Sequence, residues 1–161
     1  MRVTLQQLSK KSILQKGLSN ELVVAAKAGD FGKVSRILSS NLRLNIDAED
    51  GAGRTSLIWA ARHGWVDILE KLIEKLSNVN HKNQFGNRAL HFAAKEGHLK
   101  IVEKLIEKEA DVDPANNDGE TPLNWAAKQE FILSKRERVE VIELLLRKLG
   151  LSGLVELDIK N

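Results

Sequence analysis

At 161 residues, 29% of them charged and 4% aromatic, the chain has room for one helical domain with a continuous core. Its formal charge is only +3, and Arg2, Lys10, Lys11 and Lys16 stand in an acid-free stretch over residues 1–20; 25 basic residues less these four leave 21 against 22 acids, so the body lacks the basic face that nucleic-acid binding requires. No apolar run approaches the ~20 residues that span a bilayer, and the absence of cysteine excludes disulfides, thiolate zinc sites and cysteine nucleophiles while fitting a reducing compartment.

Residues 1–19 form a basic extension. Thr4-Leu5-Gln6-Gln7 has the form of a capping box, with hydroxyl and amide able to satisfy the free amides of a helix start. Leu5 and Leu8, joined by Ile13, Leu14 and Leu18, give a thin apolar stripe, as for a short helix covering the open edge of a repeat array that begins at residue 20. A basic, serine-bearing start without acids also fits an organelle transit peptide.

From residue 20 a pattern repeats. Leu22, Ala25, Ala26 and Gly29 return as Leu57, Ala60, Ala61 and Gly64, and again as Leu90, Ala93, Ala94 and Gly97. The last two sets lie 33 residues apart, and a further step of 33 brings Leu123, Ala126 and Ala127 into place. A fixed period of this length marks stacked supersecondary units that cannot bury their apolar faces alone. The expected units are 20–49, 50–82, 83–115 and 116–150. In each, small residues on an inner helix allow close approach, and an outer helix carries an apolar stripe: Val34, Ile37 and Leu38, then Leu72-Ile73, Leu105-Ile106 and Leu145-Leu146. The step from Leu38 to Ile46 is two residues longer than from Ile73 to Val79, which places a loop insertion within Ser39 to Asn45.

Thr121 and Pro122 suit the cap and first position of a helix. Repeat three has Arg88 where a cap is needed, so either Asn87 caps or Arg88 has been recruited to the surface. Repeat four is the most irregular: Ala127 to Val141 is seven residues longer than Ala94 to Ile101. There Phe131, Ile132 and Leu133 make an apolar knuckle, either a local insertion or a partner patch, and Ser134 to Glu137 forms a capping box for a lengthened outer helix. Residues 151–161 alternate Val155, Leu157 and Ile159 with charges, the pattern of an extended strand that folds back or begins a further segment.

Thr121-Pro122-Leu123, Leu90-His91-x-Ala93-Ala94, Gly97-His98 and Ala110-Asp111-Val112-Asp113 resemble pieces of the ankyrin-repeat signature over roughly residues 20–150. That resemblance implies an all-α solenoid of helix–turn–helix units with projecting hairpin-like loops, and structural roles for His91 and His98. It implies recognition of a partner protein through a concave face. On this chain the face comprises loop residues Gly51, Ala52, Arg54, Gln84, Phe85, Asn87, Asn117, Asp118 and Glu120, with Arg62, His63, Lys95, Glu96, Lys128 and Gln129 on the inner helices. Arg54, Arg62, Lys95 and Lys128 then lean the groove positive, toward an acidic partner, with Phe85 as an apolar anchor.

Trp59, Phe92 and Trp125 share one repeat position, where the family usually has Leu. They read as core between repeats, as an aromatic row on the groove floor, or as both. The four histidines lack metal-ligand spacing, and no nucleophile motif or phosphate loop is present; no cofactor, metal or catalytic residue is expected. The expectation is a monomeric, non-catalytic cytoplasmic binding module. Alternatives are an enzyme inhibitor, as small ankyrin proteins inhibit cyclin-dependent kinases, a bacterial effector delivered into a host cell, or a nucleic-acid contact through the basic tail.

Overall fold

The computed structural model describes residues 5–40, 42–128 and 135–151. Among these the chain is all-α, with helices α1 (Leu5–Ala28), α2 (Phe31–Leu38), α3 (Ser56–His63), α4 (Val66–Glu74), α5 (Ala89–Lys95), α6 (Leu99–Glu107), α7 (Pro122–Lys128) and α8 (Lys135–Lys148). They form four helix pairs in two layers. Inner helices α1, α3, α5 and α7 pack each on the next, and outer helices α2, α4, α6 and α8 do the same behind them.

The small residues explain the close inner layer. Ala25, Ala26, Ala60, Ala61, Ala93, Ala94 and Ala126 are buried, so neighbouring backbones approach without intervening side chains. Ala127 differs: it is exposed, because among the described residues no further helix pair comes after it to cover it. The outer helices bury Val34, Ile37 and Leu38, then Ile68, Leu69 and Leu72, then Ile101, Val102 and Leu105, then Val141, Leu144 and Leu145. Truncating any of the fully buried leucines should cost about 2–5 kcal/mol.

Caps fix where the inner helices begin. Thr55 Oγ1 accepts from the Ile58 amide at 3.3 Å, and Thr121 Oγ1 from the Asn124 amide at 3.3 Å, while Asn124 returns the bond to the Thr121 amide at 2.8 Å. At α5 the cap position is Arg88 itself, not Asn87. Its amide donates to His91 Nδ1 at 3.2 Å, and its guanidinium donates to Asp111 at 2.9 Å. Arg88 therefore ties two loops together and is not a free surface group.

Two expectations meet a different structure. The boundary expected at residue 20 falls inside α1, which runs unbroken through it, and the side chains from Gln6 to Lys16 are exposed apart from half-buried Gln15. The extension thus projects from the stack rather than lying across its edge. Of the insertion expected within Ser39 to Asn45, residues 39–40 and 42–45 lie outside any helix, as expected of a loop. Thr4, Phe131, Ile132, Leu133, Ser134 and the alternating segment 155–160 lie outside the described residues. No described helix is long and apolar enough to cross a membrane.

Candidate recognition face

Three side chains in register build the loops. Asp50, Asn83 and Asn116 each stand at the base of a hairpin loop and accept from amides two and four residues on. The bonds go to Ala52 and Arg54 (2.9 and 3.0 Å), to Phe85 and Asn87 (2.9 and 3.0 Å), and to Asp118 and Glu120 (3.0 and 2.9 Å). Such side-chain-to-backbone bonds hold a turn in place of a ladder. The loops are then cross-tied: Gln84 N–H donates to Ala52 O at 3.3 Å and Asn117 N–H to Phe85 O at 3.1 Å. The tips project as one connected row.

Inside that row the aromatic ladder is both core and floor. Trp59 and Phe92 are 4% and 8% exposed and Trp125 is half-buried. Phe92 meets Trp125 edge-on at 5.5 Å, an arrangement the ring quadrupoles favour. Each indole N–H is bonded: Trp59 to Asp50 at 3.0 Å, Trp125 to Glu120 at 2.7 Å.

Over each ring lies the cation of the preceding repeat. Lys27 Nζ is 4.7 Å from the Trp59 centroid, Arg62 Cζ 5.9 Å from Phe92, and Lys95 Nζ 5.6 Å from Trp125. Arg54 sits 4.2 Å from Trp59 on its own repeat, and His63 stacks on the same ring at 5.5 Å with a 6° tilt. Among the described residues Lys27, Arg62 and Lys95 have no ion-pair partner.

Two nearby acids, Asp50 and Glu120, are already engaged. Burial opposes ionisation of Asp50, but the Ala52 and Arg54 amides, the Arg54 guanidinium and the Trp59 indole outweigh it and hold the carboxyl below its usual range. Glu120 is held low by Lys128 and then by Trp125, and Lys128 pairs with it closely. His63 is pushed down first by burial, then by the charge of Arg62, with Glu96 opposing. Neither Asp50 nor Glu120 pairs with Lys27, Arg62 or Lys95, the cations over the rings.

Of the residues expected on this face, Arg54, Arg62, His63, Lys95 and Lys128 gather around the ladder, Glu96 lines a cleft with Gly97 and His98 at the turn after α5, and Phe85 stands exposed at a loop tip. Asp118 is exposed on the third loop, where Glu120 is committed to Trp125 and Lys128. Asn87 is a correction. It is 8% exposed, and its Oδ1 accepts from Asn116 Nδ2 at 2.8 Å, so it ties loops together and presents nothing to a partner. Gln129 lies outside the described residues. Lys27 was missed because the face was drawn on repeats two to four alone; aligning Ala25-Ala26 with Ala60-Ala61 places it opposite Arg62. The structural histidines behave as the resemblance implies: His91 Nε2 donates to Glu120 O at 3.1 Å and His98 Nε2 to Arg62 O at 3.3 Å. Among the described residues no cluster of three or more His, Asp or Glu could hold a metal.

A family model for ankyrin repeats (3 copies) matches residues 22–116 and, in a second placement, 66–155. The chain belongs to the ankyrin-repeat family. Among curated proteins, this ankyrin chain is similar to M-phase phosphoprotein 8 of Homo sapiens, 41% identical over 66 residues, which is 41% of the chain and 8% of that protein. The counterparts from Rattus norvegicus and Mus musculus match over the same length at 41% and 39% identity. The match thus covers only a small part of each relative's length.

Proposed function

We propose that this chain is a non-catalytic recognition module that binds an acidic segment of a partner protein along the ladder of Lys27, Trp59, Arg62, Phe92, Lys95 and Trp125. Ankyrin repeats in general serve protein–protein interaction, and the fold alone names no partner. What supports an acidic one is that Lys27, Arg62 and Lys95 lie over rings without ion-pair partners among the described residues, while Asp50 and Glu120 are taken up by their own loops. A carboxylate arriving there meets cations that a ring already shields from water on one side. Phe85, 58% exposed at a loop tip, supplies an apolar anchor beside them. Inhibition of a bound enzyme would use the same surface with a different consequence.

The test is the Arg62→Glu/Lys95→Glu double variant. It should keep the helical spectrum and melting of the wild type and lose affinity for a partner isolated from extract, with binding to the wild type weakening as salt is added. Unchanged affinity in the folded double variant removes the concave face as the site.

A further inference from the structure

The rungs of the ladder are not alike. Three cations surround the Trp59 ring: Arg54 Cζ lies 4.2 Å from its centroid, Lys27 Nζ 4.7 Å and Arg62 Cζ 5.5 Å. Any two of these heads are therefore no farther apart than their two distances together. His63 stacks on the same ring at 5.5 Å. The other rungs carry less. Phe92 has Arg62, shared with Trp59, at 5.9 Å, and Trp125 has Lys95 at 5.6 Å, while Lys128 is paired with Glu120. The three cations around Trp59 come from α1, from the loop built on Asp50 and from α3, so folding is what assembles them.

The cluster stays positive when its acids are counted. Asp50 bonds Arg54 Nε and the Trp59 indole, both at 3.0 Å. The charge of Glu96 reaches His63 from the turn after α5, and Glu49, next in the chain to Asp50, turns to His81 at 3.1 Å. Against Asp50 and Glu96 stand Lys27, Arg54 and Arg62, even with His63 neutral. Arg54 meets Asp50 through Nε, which leaves its terminal nitrogens to a ligand. Access is open from repeat one. Aligning Ala25-Ala26 with Ala60-Ala61 puts Val24 at the ladder position, where it is 62% exposed one turn before Lys27.

We infer that the Trp59 rung is a subsite for a phosphorylated side chain of the partner, an inference that rests on the acidic-partner reading and names the densest charge of that segment. A carboxylate brings one charge and two oxygens, which a single guanidinium satisfies in a bidentate pair. A phosphate ester brings a charge of about −1.5 to −2 and three strong acceptor oxygens. That is the match for two guanidinium forks and an ammonium converging from three elements, once the long stems of Lys27 and Arg62 turn onto it. Phe92 and Trp125, with one cation each, suit carboxylates of the same segment. A bilayer is flat, whereas this rung lies on the floor beside a projecting row of loops, so a peptide side chain reaches it and a membrane headgroup does not.

The probes are N-acetyl-O-phosphoserine amide and N-acetylglutamate amide at fixed ionic strength. They are read by the indole N–H signals of the 3 tryptophans in a nitrogen–proton correlation spectrum of the isotope-labelled chain. The phosphoserine probe should move the Trp59 signal most, to saturation, and bind roughly tenfold tighter than the glutamate probe. Lys27→Gln and Arg62→Gln should each weaken it several-fold, and Lys104→Gln, whose side chain pairs with Glu70 between the outer helices, should not. Equal affinity for the two probes, or binding that neither variant weakens, overturns the assignment. So does binding to phosphatidylcholine vesicles bearing phosphatidylinositol bisphosphate in preference to the phosphoserine probe, which would place the phosphoryl group on a lipid. Phosphatase treatment of the partner isolated from extract separates this subsite from the reading beneath it, and should lower affinity roughly tenfold. If the treated partner binds unchanged while Arg62→Glu/Lys95→Glu still abolishes binding, the concave face stands and the phosphoryl subsite falls. If the double variant binds as tightly as the wild type, both fall.

Discussion

Lys95 Nζ lies 5.6 Å from the centre of the Trp125 ring, so the cation of one repeat caps the aromatic of the next. Arg62 over Phe92 and Lys27 over Trp59 repeat the relationship. Partly exposed pairs of this kind contribute only about 0.5–1 kcal/mol. A double-mutant cycle of Lys95→Met and Trp125→Leu, read by denaturant melts, should therefore give a coupling below about 1 kcal/mol. Lys95→Met alone should weaken partner binding by more than it weakens the fold. A coupling of several kcal/mol would make the ladder a stability device first.

What was legible in the sequence came from repetition. The Leu and Ala-Ala spacing marked the four inner helices and the apolar stripes the four outer ones, because stacking requires small residues where helices touch; a left-handed glycine follows α1, α3 and α5. The shared position of Trp59, Phe92 and Trp125 exposed the ladder, but not the cations over it. Those depend on side-chain direction, which places a residue of one repeat above the ring of the next. Asn87 was misread because a loop residue between exposed Phe85 and a charged Arg88 looks superficial. Only its bond to Asn116, 29 positions away, shows that it points inward. The continuity of α1 was hidden too: a thin apolar stripe over residues 5–18 marks a short helix, but its fusion to the packed inner helix of repeat one leaves no sign in the repeat pattern.

Gly64 combines two constraints that a comparison can separate. Its φ is +75°, and an added Cβ would lie 2.8 Å from Cε1 of His98, whose ring is held in place by the bond to Arg62 O. Gly119 has φ +77° but nothing within 4 Å of the same position. Gly119→Ala should therefore cost only the backbone strain, about 1 kcal/mol. Gly64→Ala should cost that plus a clash of about 1–3 kcal/mol with a ring that cannot easily move. Equal shifts of the two unfolding midpoints would mean that the His98 ring yields freely.

His91 sets an acid limit on stability. Burial disfavours its charged form and holds its pKa below the ordinary 6.5, the Glu120 carbonyl opposing this only in part. The unfolded chain therefore takes up this proton at higher pH than the folded one does. The contribution is whole above 6.5 and is lost as pH falls from there through the folded value. His63 shifts in the same direction, but it is exposed and better screened, so its share is smaller. Unfolding free energy measured between about pH 7.5 and about pH 5 should fall on acidification. In His91→Gln the baseline should be lower and the slope shallower. An unchanged slope in that variant would assign the acid sensitivity elsewhere.

Removing residues 1–17 separates a capping extension from a projecting one. Packing of α1 against the stack begins at Leu18, which borders the core, and at Ser19, 4% exposed. Ser19 Oγ accepts from the Asn45 amide at 3.0 Å and donates to Gln15 O at 2.9 Å. The truncation keeps the first of these bonds and loses the second, whose net worth is about 1 kcal/mol. The exposed leucines and isoleucine that go with it bury little surface in the single chain. The denaturant midpoint should therefore move only slightly, as expected for a short helix that is marginal in water on its own. Amide exchange in the intact chain should show protection rising from Gln6 toward Ser19. If the extension instead covers the first repeat, the truncated chain loses several kcal/mol and the α2 amides lose protection along with it. The same pair of measurements decides between the two.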